Sequence, residues 1–112
     1  MDCIFCKIIA GEIPSAKVYE DEKILAFKDI APMAPVHVLV IPKEHVASSA
    51  NDVNAENCEA IGYLFSKIPE IASLAGVDSY RIINNCGEKA GQTVMHIHFH
   101  ILSGDNLSEK LI

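Results

Sequence analysis

The stretch of sequence that decides the fold is MHIHFHIL, residues 95–102. Its alternation of histidine with large apolar residues is typical of a β-strand, whose side chains point to opposite faces of a sheet in turn. One face of this predicted strand is apolar and belongs to the core, and the other carries three of the chain's five histidines. The histidines are His96, His98 and His100; the predicted core residues are Ile97, Phe99 and Ile101.

The rest of the chain predicts an antiparallel sheet built around this strand. Four further segments are rich in β-branched and aromatic residues and are bounded by polar residues or proline, as strands are. The first two form a hairpin that turns at residues 21–23, and a proline-containing loop precedes the third. The predicted strands are residues 16–22, 24–30, 36–42, 79–84 and 96–102.

A long helix is predicted from residue 55 to residue 74. Apolar residues recur there every three or four positions, which produces one apolar stripe. Asn54 is predicted to cap the N-terminus, Gly76 to end the helix, and Pro69 to bend it without dividing it. The stripe consists of Ile61, Leu64, Phe65, Ile68, Ala72 and Ala75.

A second, short helix is predicted near residues 4–11. Strands, a long helix and strands again, joined by short connections, indicate the α+β class: an antiparallel sheet of about five strands, one long helix and a short N-terminal helix. The length of 112 residues fits a single domain over residues 1–112. Apolar surface that one long helix cannot cover predicts a homodimer.

The composition excludes several classes of function. The formal net charge of −6 leaves no electrostatic footprint for duplex nucleic acid, although a local site could still bind a nucleotide. No apolar run approaches the roughly 20 residues of a membrane helix, and the N-terminus has no signal-peptide pattern. The four cysteines are therefore expected to be reduced, in a cytoplasmic protein.

The spacing of the histidine row argues against one metal ion bound by all three rings. Residues four apart on a strand are separated by about 13 Å, since each residue rises about 3.3 Å. Zinc–nitrogen bonds of about 2.0–2.1 Å cannot bring both outer rings to one ion. The row is therefore expected to divide its work, unless it is an amphipathic strand whose outward positions happen to be histidine.

A CxxC motif at the N-terminus, Cys3 and Cys6, could supply two ligands of a tetrahedral zinc ion. His45 follows a strand end, from which a loop can bend toward the N-terminus, and His96 ends the histidine row. These four side chains are the predicted ligands of a structural zinc. The alternatives are two buried small residues or a redox pair, although the βαβ context of a thioredoxin-like site is missing.

His98 and His100 then remain for chemistry that needs no metal. The loop before them contains Gly87 and Gly91, whose backbone amides can bind an anion, and Thr93 adds a hydroxyl group. A neutral imidazole can attack phosphorus through one nitrogen when the other donates its proton to a carbonyl group. This arrangement indicates nucleophilic attack on a phosphate group.

Two segments together resemble the histidine triad (HIT) family. MHIHFHIL resembles the family signature, and CIFCKIIAGEIPSAKVYEDEKILAFKDIAPMAPVHVLVIPKEH, residues 3–45, resembles the N-terminal half of the HINT branch. The similarity extends from Cys3 to about Ser103. It implies the HIT-like fold and a two-fold homodimer. It also implies, as in zinc-bearing bacterial-type members, a structural zinc on the counterparts of Cys3, Cys6, His45 and His96.

The resemblance also implies roles for individual residues. His98 would be the nucleophile that becomes nucleotidylated, His100 would contact the phosphate, and His37 would support the site. Asp29 would hold the ribose hydroxyl groups, although a turn-forming aspartate is the ordinary alternative. The implied catalytic residues are His98, His100, His37 and Thr93. The implied purine slot is Ile4, Phe5, Leu25, Phe27 and Ile30, with Leu25 equally suited to the core. The implied contacts near the phosphate and leaving group are Asn85, Gly91, Gln92 and Thr93.

The predicted activity is hydrolysis of a purine nucleoside phosphoramidate, an AMP or GMP derivative, through a nucleotidyl intermediate on His98, with no catalytic metal. The alternatives are hydrolysis of dinucleoside polyphosphates and a nucleotide-binding interaction module with incidental catalysis. The chain departs from the family by having no tryptophan and by ending in SGDNLSEKLI, which leaves the leaving-group preference open. Cys86 has no predicted role.

Overall fold

Five β-strands and two helices form the fold of the computed structural model, which describes residues 3–104 and 107. The strands are β1 Lys17–Glu20, β2 Ile24–Lys28, β3 Val36–Pro42, β4 Arg81–Ile83 and β5 Phe99–Ser103; the helices are α1 Ile4–Ile9 and α2 Cys58–Leu74. All neighbouring strands are antiparallel, in the order β1-β2-β3-β5-β4. The predicted α+β class with a five-stranded antiparallel sheet is therefore confirmed.

The two faces of the sheet bury different clusters, because alternation along each strand sends neighbouring side chains to opposite sides. On β3, Val38 and Val40 pack with α2, while Leu39 and Ile41 pack with α1. We name these clusters the α2 face and the α1 face. The α2 face comprises Ile24, Ala26, Val38, Val40, Ala47, Leu64, Ile68, Ile71, Ile97, Phe99 and Ile101. The α1 face comprises Cys3, Phe5, Ile8, Leu25, Phe27, Leu39 and Ile41.

The strand predicted at residues 96–102 alternates as expected but begins later. Regular pairing starts at Phe99, so His96 and His98 precede β5. The amide of Ile97 donates to the carbonyl of Ala47, in the connection after β3, at 3.0 Å. This bond replaces the regular ladder without changing the direction of the side chains. The predicted core residues Ile97, Phe99 and Ile101 all belong to the α2 face.

Helix α2 also begins later than predicted, at Cys58 and not at residue 55. Asn54 caps the turn that precedes the helix: its Oδ1 accepts hydrogen bonds from the amides of Glu56 and Asn57, at 2.8 and 3.2 Å. Asn57, which flanks the first helical residue, makes no side-chain capping bond. Asparagine side chains therefore stabilise a turn at this position and delay the helix.

The remainder of α2 follows the sequence pattern closely. The helix continues through Pro69, and Gly76 follows its end with a φ of +82°, which favours glycine. Phe65 is the stripe residue that stays most accessible, at 43% exposed, and its ring packs edge-on against Phe99 with centroids 5.1 Å apart. Among the described residues, neither helix is long and apolar enough to cross a bilayer.

Asp21 ties the β1–β2 hairpin to α2. Its carboxylate accepts hydrogen bonds from the hydroxyl groups of Tyr19 and Tyr63, at 2.8 and 2.6 Å. The amides of Lys23 and Ile24 donate to the other oxygen, at 2.7 and 2.9 Å. Burial alone would raise the pKa of Asp21, but these hydrogen bonds lower it to about 2. The predicted hairpin turn is therefore held by a carboxylate that is ionised at neutral pH.

Candidate active site and metal centre

A cavity of about 390 Å³ opens on the α1 face. Its lining is mostly apolar and includes a few polar side chains, which is the usual form of a small-molecule site. Helix α1, β2 and the segment from Thr93 to His100 all contribute to it. The lining residues are Ile4, Phe5, Ile8, Ile13, Pro14, Ser15, Phe27, Lys28, Asp29, Ile30, Leu39, Thr93, Val94, His98 and His100.

His98 is held in one tautomer by the backbone before β5. Its Nδ1 lies 2.8 Å from the carbonyl oxygen of His96. Because a carbonyl can only accept, Nδ1 carries the proton, and in the neutral ring Nε2 keeps its lone pair. The ring is buried and packs edge-on against Phe5, with centroids 4.9 Å apart, and burial lowers its pKa. Asn84 donates to the carbonyl of His98 at 2.8 Å and fixes the same segment.

A chain of hydrogen bonds also determines the tautomer of His100. The amide of Met33 donates to Nδ1 of His37 at 3.0 Å, so the proton of neutral His37 is on Nε2. That Nε2 lies 2.8 Å from Nδ1 of His100, which must therefore accept. The proton of neutral His100 is left on Nε2, a buried atom with no hydrogen-bond partner among the described residues. A buried donor without a partner suits an anionic oxygen from a ligand.

Burial keeps this histidine pair neutral. Burial lowers the pKa of His37, and the nearby carboxylate of Asp29 opposes the shift. Burial, followed by the neighbouring rings of His98 and His37, lowers the pKa of His100 to about 4. Asp29 Oδ2 lies 3.5 Å from Nε2 of His37, and its Oδ1 accepts from the amide of Ala31 at 2.8 Å. Asp29 thus ends β2 in a turn, the ordinary alternative for this residue, and also lines the cavity.

The backbone amides of Gly87 and Gly91, predicted to bind an anion, donate hydrogen bonds within their own loop instead. The amide of Gly91 donates to the carbonyl of Glu88 at 3.0 Å. Gly87 and Gly91 have φ values of +93° and +95°, which favour glycine. Gln92 is buried, and its side chain accepts from the amide of Gly87 at 2.8 Å. Both of its amide hydrogens are also engaged, by the carbonyls of Ser48 and Val94 at 2.6 and 3.0 Å. Gln92 therefore braces the loop, and its side chain has no donor left for a ligand.

The predicted contact residues are distributed unevenly around the cavity. Ile4, Phe5, Phe27 and Ile30 line it, as do Asp29, Thr93, His98 and His100. Leu25 is fully buried in the α1 face and does not line the cavity, so its alternative role in the core is the one observed. Asn85, Gly91 and Gln92 also lie outside the lining, and Asn85 approaches Gly91.

Sequence reasoning missed several apolar lining residues. Leu39 could have been predicted from the alternation of β3, because it lies on the same face of the strand as His37. Ile8 could have been predicted from helical spacing, because it lies four residues after Ile4 on the same helix face. Ile13 and Val94 carry no such signal, since both lie in irregular segments that only the fold brings to the cavity.

Four side chains from distant parts of the chain converge behind α1. The Sγ of Cys3 lies 3.3 Å from Nδ1 of His96, and the Sγ of Cys6 lies 3.5 Å from Nδ1 of both His45 and His96. All four ligand atoms lie within 4.8 Å of one another. The residues predicted from the CxxC motif and the histidine row thus form a cluster that could bind a metal ion.

The donor set of this cluster fits zinc. Nε2 of His96 lies 2.8 Å from the carbonyl of Pro42 and must donate to it, so Nδ1 presents its lone pair to the two sulfur atoms. Two sulfurs and two imidazoles match a closed tetrahedral zinc site. Burial, then the adjacent Cys3 thiol, raise the pKa of Cys6 to about 11 without a metal. A cation is therefore what would stabilise the thiolate here.

Asp29, His37 and His100 form a second group whose ligand atoms lie within 4.8 Å of one another. The nitrogen atoms of the two histidines that face each other are already joined by the 2.8 Å hydrogen bond. In the neutral ring, His37 Nε2 carries the proton and therefore has no lone pair for a metal ion. This group is therefore accounted for by hydrogen bonding.

The fold and the site define a class of protein in which an antiparallel sheet carries a row of alternating histidines beside an apolar pocket. The HIT domain model matches residues 10–107, and the chain belongs to the HIT family, as its sequence predicted. A histidine triad protein from Clostridium difficile superposes with a TM-score of 0.91 at 48% identity, covering 98% of this chain and 96% of that one. A HIT family hydrolase from Clostridium thermocellum superposes with a TM-score of 0.93 at 44% identity, covering 99% and 97%.

Two relatives illustrate the range of similar sequences. An uncharacterized HIT-like protein of Rickettsia prowazekii is 49% identical over 106 residues, which cover 93% of this chain and 88% of the relative. The purine nucleoside phosphoramidase of Escherichia coli K12 is 44% identical over 112 residues, which cover 98% of this chain and 93% of the relative.

Proposed function

We propose that this protein hydrolyses purine nucleoside phosphoramidates through a nucleotidyl intermediate on His98. The observation that carries the proposal is the hydrogen bond from His98 Nδ1 to the carbonyl of His96, because it leaves Nε2 unprotonated beside the cavity. The similarity to a purine nucleoside phosphoramidase and to a HIT family hydrolase supports the same reaction class. A nitrogen nucleophile of this kind needs no metal for its activation.

In this proposal the purine lies among the apolar side chains of α1 and β2. Ile4, Phe5, Phe27 and Ile30 provide that surface, and Asp29 binds the ribose hydroxyl groups. The α-phosphate then lies between His98 and His100. Nε2 of His98 attacks phosphorus, the phosphorus–amine bond breaks, and the amine takes up a proton from solvent, to which the water of the next step returns one. Water next attacks the same phosphorus and breaks its bond to Nε2, which releases the nucleoside monophosphate.

His100 would stabilise the phosphate rather than attack it. The relay from Met33 through His37 leaves a proton on His100 Nε2, and this donor has no protein partner. A non-bridging phosphate oxygen would accept it, and the bond would strengthen as negative charge builds on that oxygen. The hydroxyl of Thr93, which lines the cavity, would supply a further donor, while Gln92 and Asn85 would position this loop.

The proposal extends to the metal, the assembly and the location. Cys3, Cys6, His45 and His96 would hold a structural zinc, at about one equivalent per chain in protein purified without chelator. Zinc would supply no chemistry to the reaction and would fix the backbone around it. The protein would work as a homodimer in the cytoplasm.

The decisive experiment traps the covalent intermediate. An adenosine phosphoramidate is mixed with the protein, and the reaction is quenched rapidly without acid, which would break a phosphorus–nitrogen bond. We expect a mass increase equal to one adenosine monophosphate residue, on the peptide that contains His98. An adduct on another residue, or turnover at a normal rate with no adduct under conditions that trap one elsewhere, would overturn the proposal.

A parallel assay separates the alternatives. Dinucleoside polyphosphates are tested beside the phosphoramidate under the same conditions. A higher kcat/KM for the polyphosphate would favour the related hydrolase activity, and the amine would then not be the natural leaving group. Binding of AMP without turnover of either substrate would favour an interaction module.

A further inference from the structure

The short helix α1 contributes residues both to the cavity and to the group of Cys3, Cys6, His45 and His96, which we call the metal cluster. Cys3 precedes the helix and Cys6 lies within it, and both point to His45 and His96. The two residues between the cysteines, Ile4 and Phe5, line the cavity instead. A helix that offers neighbouring residues to two sites couples their geometries, because it moves as one unit.

Few polar interactions attach α1 to the rest of the protein. Among the described residues, the hydrogen bonds made by residues 3–13 to other parts of the chain are those of the two cysteine sulfurs with His45 and His96. The remaining attachment is apolar packing of Phe5 and Ile8 in the α1 face. A helix of six residues is too short to be stable by itself, so its position depends on these contacts.

Phe5 transmits the position of α1 to the cavity. Its ring lies edge-on to Phe27, with centroids 5.8 Å apart, and to His98 at 4.9 Å. It also lies 5.9 Å from the ring of His96, a member of the metal cluster. Phe5 is therefore in contact both with a member of the cluster and with the lining of the cavity.

We propose that zinc binding sets the affinity of the pocket for the purine base by holding α1 and Phe5 in place. The inference rests on the proposed function for placing the base against α1. The two coupled sites are the metal cluster and the part of the cavity lining that α1 contributes, which we call the base wall. The protein would have two states, one with α1 anchored and one with α1 displaced. Coupling between sites is commonly about 5- to 150-fold in affinity, and it acts equally in both directions.

The first test measures equilibrium binding of AMP and of ribose 5-phosphate, which lacks the base. Zinc-loaded protein, zinc-depleted protein and the Cys6→Ser variant are compared, with far-UV circular dichroism to establish that each is folded. We expect zinc loss to weaken the affinity for AMP at least tenfold and to leave the affinity for ribose 5-phosphate almost unchanged. Cys58→Ser is the matched control, because Cys58 is an exposed thiol on α2, outside the cluster, and its replacement should change neither ligand.

A second test needs no variant and no depleted protein. Zinc release from the loaded protein to a chromophoric chelator is followed to equilibrium with AMP, with ribose 5-phosphate and with neither. By reciprocity, saturating AMP should raise the apparent zinc affinity by the factor found in the first test, and ribose 5-phosphate should not. Equal zinc affinity with and without AMP would overturn the inference, as would a protein that binds no zinc.

These measurements separate the inference from the function on which it rests. AMP that binds equally well with and without zinc would overturn the inference alone, since the pocket would still hold the base. Zinc-loaded protein that binds no AMP would overturn the proposed function and the inference together. Equal weakening of AMP and ribose 5-phosphate would also overturn the inference, because zinc would then support the whole site and not the base wall.

Discussion

The two faces of the sheet use the same central strands for different purposes. The α2 face is covered by a helix of 17 residues, and its core cluster consists of apolar side chains. The α1 face is covered by a helix of six residues. It shares its side of the sheet with a cavity, with four side chains that could bind a metal ion, and with the buried rings of His37 and His98. The alternation of side chains along β2 and β3 therefore divides the protein into two sides. One side mainly stabilises the fold, and the other carries the histidines, Cys3, Cys6 and the cavity.

The contrast explains how the sheet tolerates buried histidines. Burial lowers the pKa of His37, His96, His98 and His100, so each is neutral near pH 7, and withdrawing their polar atoms from water has a free-energy cost. Hydrogen bonds offset part of this cost on the α1 face. The α2 face buries the larger apolar cluster, 11 residues against seven, and so supplies more of the stability that offsets the rest.

The largest expected effect follows from removing the proposed nucleophile. His98→Ala should lower kcat by about 10⁴-fold or more, since the covalent route is lost. AMP binding should remain measurable, because the base surface and Asp29 are retained. His100→Ala should lower kcat less, because that ring stabilises charge and does not carry the nucleotide. Turnover of His98→Ala at the normal rate would break the assignment of chemistry to the α1 face.

The reverse experiment is made on the α2 face. Leu64 is fully buried there, and Leu64→Ala should lower the free energy of unfolding by about 2–5 kcal/mol, measured by urea titration. Turnover below the melting temperature should be nearly unchanged. Leu74→Ala is the matched control on the same helix, because Leu74 is 58% exposed and its loss should matter little. A large loss of kcat in folded Leu64→Ala protein would show that the two faces are not separable.

The pH dependence of stability should report the half-buried His100. The unfolded chain binds a proton on this residue as the pH falls below its ordinary pKa of 6.5, whereas the folded state does so only near pH 4. The unfolded state is therefore favoured progressively between pH 6.5 and 4, and stability falls as the pH decreases. After allowance for partial exposure, the loss should be about 1–3 kcal/mol.

Comparison with a variant isolates the contribution of this one ring. Urea titrations at pH 7 and pH 4.5 on the wild type and on His100→Gln should give a smaller pH-dependent loss for the variant. Part of the loss should persist, because burial also lowers the pKa of His37. Equal losses in both proteins would mean that His100 titrates normally in the fold.

The smallest expected effect concerns an apolar strip at the β4 edge of the α2 face. Phe65 packs on Phe99, Ile82 pairs with Ile101 across β4 and β5, and both Phe65 and Ile82 are more than 40% exposed. This strip would be covered in the proposed dimer. Sedimentation at micromolar concentration should give a mass near twice 12.2 kDa.

A charge on this edge should weaken the dimer. Ile82→Lys places an ammonium group on an edge strand, which disfavours pairing, and we expect at least a tenfold rise in the dimer Kd, about 1.4 kcal/mol. Met33→Lys is the control, because Met33 is exposed outside the strip and its replacement should leave the mass unchanged. A monomeric wild type would contradict the dimer, and a dimer unaffected by Ile82→Lys would place its interface elsewhere.

Local patterns in the sequence were sufficient for the architecture. Alternation of apolar residues assigns Ile97, Phe99 and Ile101 to the core, and three- and four-residue spacing identifies α2. These signals are local because each secondary structure repeats over a few residues. The exact starts of α2 and β5 were predicted less well, since they depend on the side-chain bonds of Asn54 and on the bond of Ile97 to Ala47.

For the candidate site, the sequence indicated which residues to consider but not how they are connected. Motif and spacing indicated Cys3, Cys6, His45 and His96 as one cluster, which the structure brings together. The resemblance to the HIT family indicated His98 as the nucleophile, and that role stays a prediction. Only the tertiary structure decided that Leu25 belongs to the core, that Gln92 braces a loop, and that Phe5 contacts both His96 and His98.

The tautomers of the histidines were likewise decided only by the tertiary structure. A histidine in a sequence carries no information about which nitrogen holds its proton, because that depends on the partner that faces each nitrogen. The amide of Met33 and the carbonyl of His96 supply those partners here. The residues joined by the relay, His37 and His100, are 63 positions apart, and only folding brings them within hydrogen-bonding distance. The sequence thus determined which groups are present, and the packing of distant segments decided which of their atoms can react.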